Sequence, residues 1–303
     1  MQMLKSLTKR SAVEIAILCL QFAVALSCIG YASQMFRQKL EINTASLIEW
    51  GTSPYLATLI PALFGLAFIG IAIAVVWKPK PVYLWSAFGL IVLLTAMKTV
   101  ELGTYFGLTM PSRAARYMLP IALLMLMQWY NNQYVKQGRG VVESIPTGVM
   151  TVMRLSIALT FFGHGTKVMF HSSKFLGLIE KSSITFFGMP IFSEAAIYLM
   201  LDAIAIIDLV VVFLILATRW NWVPIYMGLW TLMTASSRVT ANGIASWDDI
   251  VIRASYYGIP LAIFFMYQWL NMHEQEHGTV EEQTPTRMQI PAHEGVLSGA
   301  GAD

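Results

Sequence analysis

Charge is scarce in this chain. Asp, Glu, Lys and Arg together make up 12% of its residues, about half the share found in an ordinary soluble domain. That shortage excludes a solvated globular surface. Cysteine is scarcer still: Cys19 and Cys28 are the only two. Their nine-residue spacing on a helix turns them about half a revolution apart, so no disulfide joins them within one continuous helix. There is no Cys-x-x-Cys for thiol redox chemistry. Of the five histidines, only His164 sits inside an apolar run, with His171 at its edge, which leaves no facing pair for bis-histidine haem. Gly-rich phosphate loops, zincin His-Glu-x-x-His and Ser-centred elbows are absent. The net charge is +3 and the basic residues are dispersed, so nucleic acid is not an expected partner. Neither haem nor metal is expected in this chain.

Apolar residues are abundant: 56% of the chain, with a mean hydropathy of +0.61. Runs of roughly 20 residues, enough to cross a bilayer as helix, recur near 12–34, 54–77, 82–100, 114–131, 149–170, 194–217, 222–240 and 254–271. They are too long and too uniformly apolar for alternating barrel strands. The expected fold is therefore an all-α integral membrane protein of about eight transmembrane helices, with the lipid bilayer as its first partner. The first run follows Lys5, Lys9 and Arg10 and is too long for a cleaved signal, so it reads as a retained anchor with a cytoplasmic N-terminus. An even number of spans returns the C-terminus to the same side. The expected location is a bacterial or archaeal cytoplasmic (inner) membrane.

The spans are written twice in the same direction. Arg113, Ala114, Arg116, Tyr117 and Pro120 are followed 140 positions later by Arg253, Ala254, Tyr256, Tyr257 and Pro260. Gln128, Trp129 and Asn131 return as Gln268, Trp269 and Asn271, and Lys98 aligns with Arg238. This predicts two parallel four-helix repeats, 12–132 and 149–272, after a cytoplasmic segment 1–11 and joined by a polar connector 133–148. Residues 174–187 carry enough apolar weight to lie along a membrane surface. The polar tail 273–303 lacks periodicity and is expected to be disordered.

Ionisable residues inside these spans are candidates for function, because each is costly in lipid. His164, Lys167, Asp202, Arg238 and Arg253 fall in the outer half of the bilayer, and Lys98, Glu101 and Arg113 lie at similar height. Asp208, near mid-membrane, is the costliest. Together they predict a cation-rich pocket suited to an anion or a quinone headgroup. The plainer alternative has Arg113 and Arg253 capping short loops and pairing with Glu101, Asp248 or Asp249.

Arg154-Leu155, Ala158, Phe161-Phe162, His164-Gly165 and Lys167 resemble the opening helix of DoxX-like membrane proteins. Leu214 to Arg219, closing on Thr-Arg, and Asn242-Gly243 before the last helix resemble that family too. The likeness covers roughly 150–271. It implies a four-helix unit, with the first repeat a diverged copy that has Cys28-Ile29-Gly30-Tyr31 at the His-Gly-x-Lys stretch. It further implies a membrane subunit of a quinone-linked oxidoreductase, of the thiosulfate:quinone type, working beside a second redox subunit or as a homo-oligomer. In that setting His164, Lys167 and Asp202 are the catalytic candidates: His164 bonds a quinone carbonyl, Lys167 with Arg238 stabilises the quinol anion or attracts an oxyanion, and Asp202 orients or exchanges protons. Arg238, Arg253, Lys98, Arg113 and Asp208 are the binding candidates. Quinone is the expected cofactor. A small-anion transporter and a non-catalytic anchor or assembly subunit are the competing readings.

Overall fold

The computed structural model describes residues 9–40, 42–101, 106–132 and 147–282. Among them every regular element is helical. In chain order these are α1 (Lys9–Phe36), α2 (Thr44–Glu49), α3 (Pro54–Trp77), α4 (Pro81–Glu101), α5 (Phe106–Thr109), α6 (Ala114–Tyr130), α7 (Thr147–Met169), α8 (Ser173–Phe187), α9 (Glu194–Ala217), α10 (Trp222–Asn242), α11 (Trp247–Val251) and α12 (Ala254–Glu282). Single 3-10 turns, Pro111–Arg113 and Ile244–Ser246, precede α6 and α11.

Four helices, α1, α3, α4 and α9, are long and apolar enough to cross a membrane by themselves. The segment 244–251, bent by 45° against α12, makes a fifth if the pair is one span. These helices mark the chain as membrane-embedded. Helices stand at all eight expected positions, but α6, α7 and α10 fall short of span grade alone. The first is only 17 residues long. The other two carry Arg154, His164, Lys167 and Arg238 among Ser and Thr. Such residues are tolerated where protein rather than lipid surrounds them.

Local chemistry sets several ends. Pro54 stands in the first turn of α3, where its missing N–H costs nothing. Ser193 caps α9 by accepting from the Ala196 amide at 3.3 Å, with Glu194 in the first turn. The C-terminal carbonyls of two helices, which have no partner within the helix, are met from outside. Arg154 of α7 donates to the carbonyls of Ile215 (2.7 Å), Leu216 (2.5 Å) and Thr218 (3.1 Å) at the end of α9. Gln21 of α1 donates to those of Val75 (2.7 Å) and Val76 (3.0 Å) at the end of α3.

Packing follows the same crossed pattern. α1 lies between α3 and α12, and α7 lies between α9 and α6. Two glycines permit backbone contact across it. A Cβ on Gly30 would collide with the Ile252 amide nitrogen, just before α12, and one on Gly163 would sit 2.5 Å from the Ser112 amide nitrogen, just before α6. Trp129 and Trp269 meet edge to face at 5.8 Å where α6 and α12 approach. At the end of the bundle that holds the short elements, fully buried Asp248 accepts from Arg37 and Lys39, both at 3.1 Å. Arg37 also reaches the Ala245 carbonyl, and Gln34 donates to Asp249 at 3.2 Å. The end of α1 thus clamps α11.

Two expectations change. Residues 174–187 form α8, but this helix packs on α10 and α9. Phe175, Leu176 and Ile179 press against Val168, Ile197 and Leu201, because one face of the helix is apolar enough to join a core. The polar stretch after 272 continues α12 as far as Glu282 rather than ending it, with Glu274, Gln275 and Glu276 as good helix formers in its first turn. The connector 133–146, the N-terminal 1–8 and the tail 283–303 lie outside the described residues.

Replacing Gly30 with Ala forces a side chain onto the Ile252 backbone, and destabilisation on the order of 1–3 kcal/mol is expected. Gly70 faces open space, so Gly70→Ala is the control. Thermal unfolding in mild detergent should show a lowered midpoint for the first and an unchanged one for the second.

Candidate functional site

Six long helices, α4, α6, α7, α9, α10 and α12, and the shorter α5, α8, α11 and the turn at 111–113 line the space beside His164. Glycines flank it: Gly163 lets the turn at Ser112 touch α7, and Gly165 lets α9 approach, since a Cβ there would lie 3.0 Å from the Asp208 Cβ. The His-Gly pattern therefore has a packing reason. It clamps α7 between two neighbours and fixes the height of the imidazole.

The imidazole faces Tyr256 edge-on at 5.8 Å and Phe175 at 6.4 Å. Among the described residues its ring nitrogens make no hydrogen bond, and the residue lines two adjoining cavities. The larger, about 530 Å³, is lined by Lys98, Arg113, Arg116, Lys167, Arg238 and Arg253, with Thr109, Ser112, Ser172, Ser173 and Asn242, and Asp249 as its one carboxylate among the described residues. The smaller, about 230 Å³, is an apolar slot under α8, lined by Phe161, Val168, Ile179, Leu201, Ile204, Trp230 and Met233. Six residues, His164, Phe175, Leu178, Arg238, Arg253 and Tyr256, line both. The chamber and the slot are one bipartite space.

Hydrogen bonds hold the chamber wall. The Tyr256 hydroxyl accepts from Arg116 Nε at 2.9 Å and donates to the Ser112 carbonyl at 3.0 Å. Lys167 Nζ donates to Ser112 Oγ at 2.9 Å, which in turn donates to the Thr109 carbonyl at 3.0 Å. Thr160 of α7 accepts from the Ala115 amide at 2.9 Å, meeting an orphan donor at the start of α6. Thr231 donates to the Tyr256 carbonyl at 2.9 Å and ties α10 to α12. Arg253 pairs with Asp249 at 3.1 Å and also reaches its carbonyl. Arg238 donates to the Thr234 carbonyl of its own helix at 2.6 Å.

Six of the eight residues singled out from sequence, His164, Lys167, Lys98, Arg113, Arg238 and Arg253, meet in the chamber. Asp208 lines the slot, 5% exposed, and its Oδ1 has no hydrogen-bond partner. Asp202 is elsewhere. It pairs with His171 Nε2 at 2.8 Å with its side chain half exposed, and Tyr198 packs on that histidine at 4.8 Å. It therefore cannot act directly at the cavity His164 faces. The plainer alternative also holds in part, since Arg253 does pair with Asp249. The side chain of Glu101 lies outside the described residues. Sequence reasoning missed Arg116, Tyr256, Ser112 and the α8 residues Phe175 and Leu178 as site residues. The first two were legible as members of the repeated motif. The others acquire a role only when α8 and the turn before α6 fold over α7.

No family model matches this chain, no curated protein resembles it significantly, and no solved structure does.

Tyr256→Phe removes the hydroxyl that joins Arg116 to the Ser112 carbonyl and leaves both buried groups without it. The expected loss is about 1–3 kcal/mol, read as a lower unfolding midpoint with unchanged helix content by circular dichroism.

Proposed function

We propose that the chain is a duplicated, eight-span membrane protein that binds an amphiphile with an anionic head in a space lined by both halves. The observation that carries this is the bipartite space: a cation-lined chamber opening into an apolar slot. Pockets that bury a ligand pair an apolar wall with a few convergent polar groups, and here the polar groups are gathered at one end.

Several contacts support the duplication. Arg116 bonds Tyr256 and Trp129 packs on Trp269, and in each pair the partners are 140 positions apart. A residue that touches its own counterpart lies on a local two-fold axis. Gly30 and Gly163 make matching contacts, and Gln21 and Arg154 cap matching helices, each pair 133 positions apart. The α7-to-α9 connection is seven residues longer than the α1-to-α3 connection, which accounts for the change of offset. The longer connection holds α8. By this register Tyr31, rather than Cys28, is the counterpart of His164. With eight spans both termini lie on one side, the cytoplasmic side by the basic residues at the start.

A second reading, a quinone-binding subunit of an oxidoreductase with DoxX-like kinship, is favoured by one observation. In the first half Tyr31 stacks on Phe68 at 5.1 Å. In the second half those positions are His164 and Asp208, and a slot stands where the phenyl ring would be. A ligand's flat ring fits that space, with His164 and Asp208 available to its oxygens. A second redox subunit would then supply or accept the electrons.

Mass spectrometry of the protein in mild detergent, resolving bound small molecules and partner chains, tests both. A charged lipid is expected under the first reading, and a quinone with a redox-active partner under the second. Asp208→Phe, which copies the first half, should close the slot and cut bound amphiphile at least about tenfold, a change of 1.4 kcal/mol. Retention of full occupancy by that variant would place the ligand somewhere other than the slot.

A further inference from the structure

We infer that the chamber is built for the phosphomonoester head of a lipid, a group carrying two negative charges. This rests on the amphiphile reading above and adds the chemistry of the head.

Three guanidiniums decide it: Arg116, Arg238 and Arg253. Arg116 is 6% exposed, and its described side-chain hydrogen bond goes to a neutral phenol, Tyr256. Arg238 spends a donor on a carbonyl of its own helix, which offers a dipole and no counter-charge. Only Arg253 meets a carboxylate, that of Asp249. Among these residues two positive charges are left over. The three guanidiniums line one chamber together with His164. Like charges gathered in a low-dielectric space are unfavourable unless an anion joins them. A fatty acid or a phosphodiester brings one charge, and a neutral quinone none. A phosphomonoester brings about 1.5 to 2 near neutral pH and three acceptor oxygens. Its O–P–O edges also suit the planar fork of arginine, whose two parallel N–H groups bind such an edge together. The apolar slot beyond Arg238 and Tyr256 takes the start of the chain attached to that head.

The test uses the full-length protein in neutral phosphatidylcholine nanodiscs. It is titrated separately with phosphatidic acid, phosphatidylglycerol, oleate, inorganic phosphate and sulfate, and binding is read by native mass spectrometry and by shift of the unfolding midpoint. Phosphatidic acid should bind about tenfold or more tighter than phosphatidylglycerol or oleate, since each lost charge-assisted bond is worth at least that factor. Arg238→Gln should lose about the same factor, and Arg238→Lys should recover part of it. Unfolding curves of the ligand-free variants exclude a folding defect. Equal binding of phosphatidylglycerol or oleate overturns the phosphomonoester inference and leaves the amphiphile reading standing. Failure of all three lipids to bind sinks both. Inorganic phosphate or sulfate binding as tightly as phosphatidic acid overturns the assignment to a lipid.

Discussion

Backbone contact at two glycines sets the spacing on which the site depends. Gly30 receives the turn at Ile252 and Gly163 receives the turn at Ser112. Each contact joins the first long helix of one half of the chain to the entrance of the last long helix of the other. No side chain can stand between them, so the helices that carry Arg116 and Tyr256 start at fixed heights against α1 and α7. The bond between those two residues, and the position of His164 one residue beyond Gly163, follow from that spacing. Close approach at small residues is how helices gain packing in lipid, where the hydrophobic effect gives them no reason to associate.

The same contacts gather charge. Arg116 and Arg253 stand at the entrances to α6 and α12, and Arg238 lies near the end of α10, which Thr231 ties to Tyr256. Drawing these entrances together therefore draws guanidiniums together. The protein meets part of the electrostatic cost through Asp249, which Gln34 of α1 also holds. The neighbouring Asp248 is spent on Arg37 and Lys39 instead. That division fastens α1 to α11 and leaves the interior of the chamber positive. A fold seeking stability alone would place both carboxylates against the buried arginines, because buried unpaired charge is among the most destabilising features a protein can carry.

The positions of the long helices were legible in the sequence, because runs of apolar residues report their own length. The chamber was legible for a related reason: an ionisable residue inside an apolar run has few places to go except inward. That logic succeeds for Lys167, Arg238 and Arg253, which sit at the buried ends of helices. It fails for Asp202, because the third turn of α9 stands beside half-buried His171, just past the end of α7. Height along a helix predicts depth only when neighbouring helices end at the same level, and α8 fills the step between them. The role of α8 itself was hidden for a physical reason. An apolar face suits a membrane surface and a protein groove equally well, and only the length of the connection, which lets the helix fold back over α10, decides between them.

Under the proposed duplication, the two halves differ most where chemistry would be expected. Tyr31 and Phe68 fill the interior of the first with stacked rings, while His164 and Asp208 border an open, largely apolar slot in the second. A cavity beside a carboxylate oxygen with no partner is poor structural engineering, since an aromatic side chain would fill the space and remove the unsatisfied atom together. The proposed first copy holds that solution, with Tyr31 stacked on Phe68. The second half forgoes it while keeping matching glycine contacts, matching helix caps and matching helix order. Stability therefore gives no account of the exchange of Phe68 for Asp208, whereas a ligand that fills the slot and meets the carboxyl oxygen accounts for both the space and the atom.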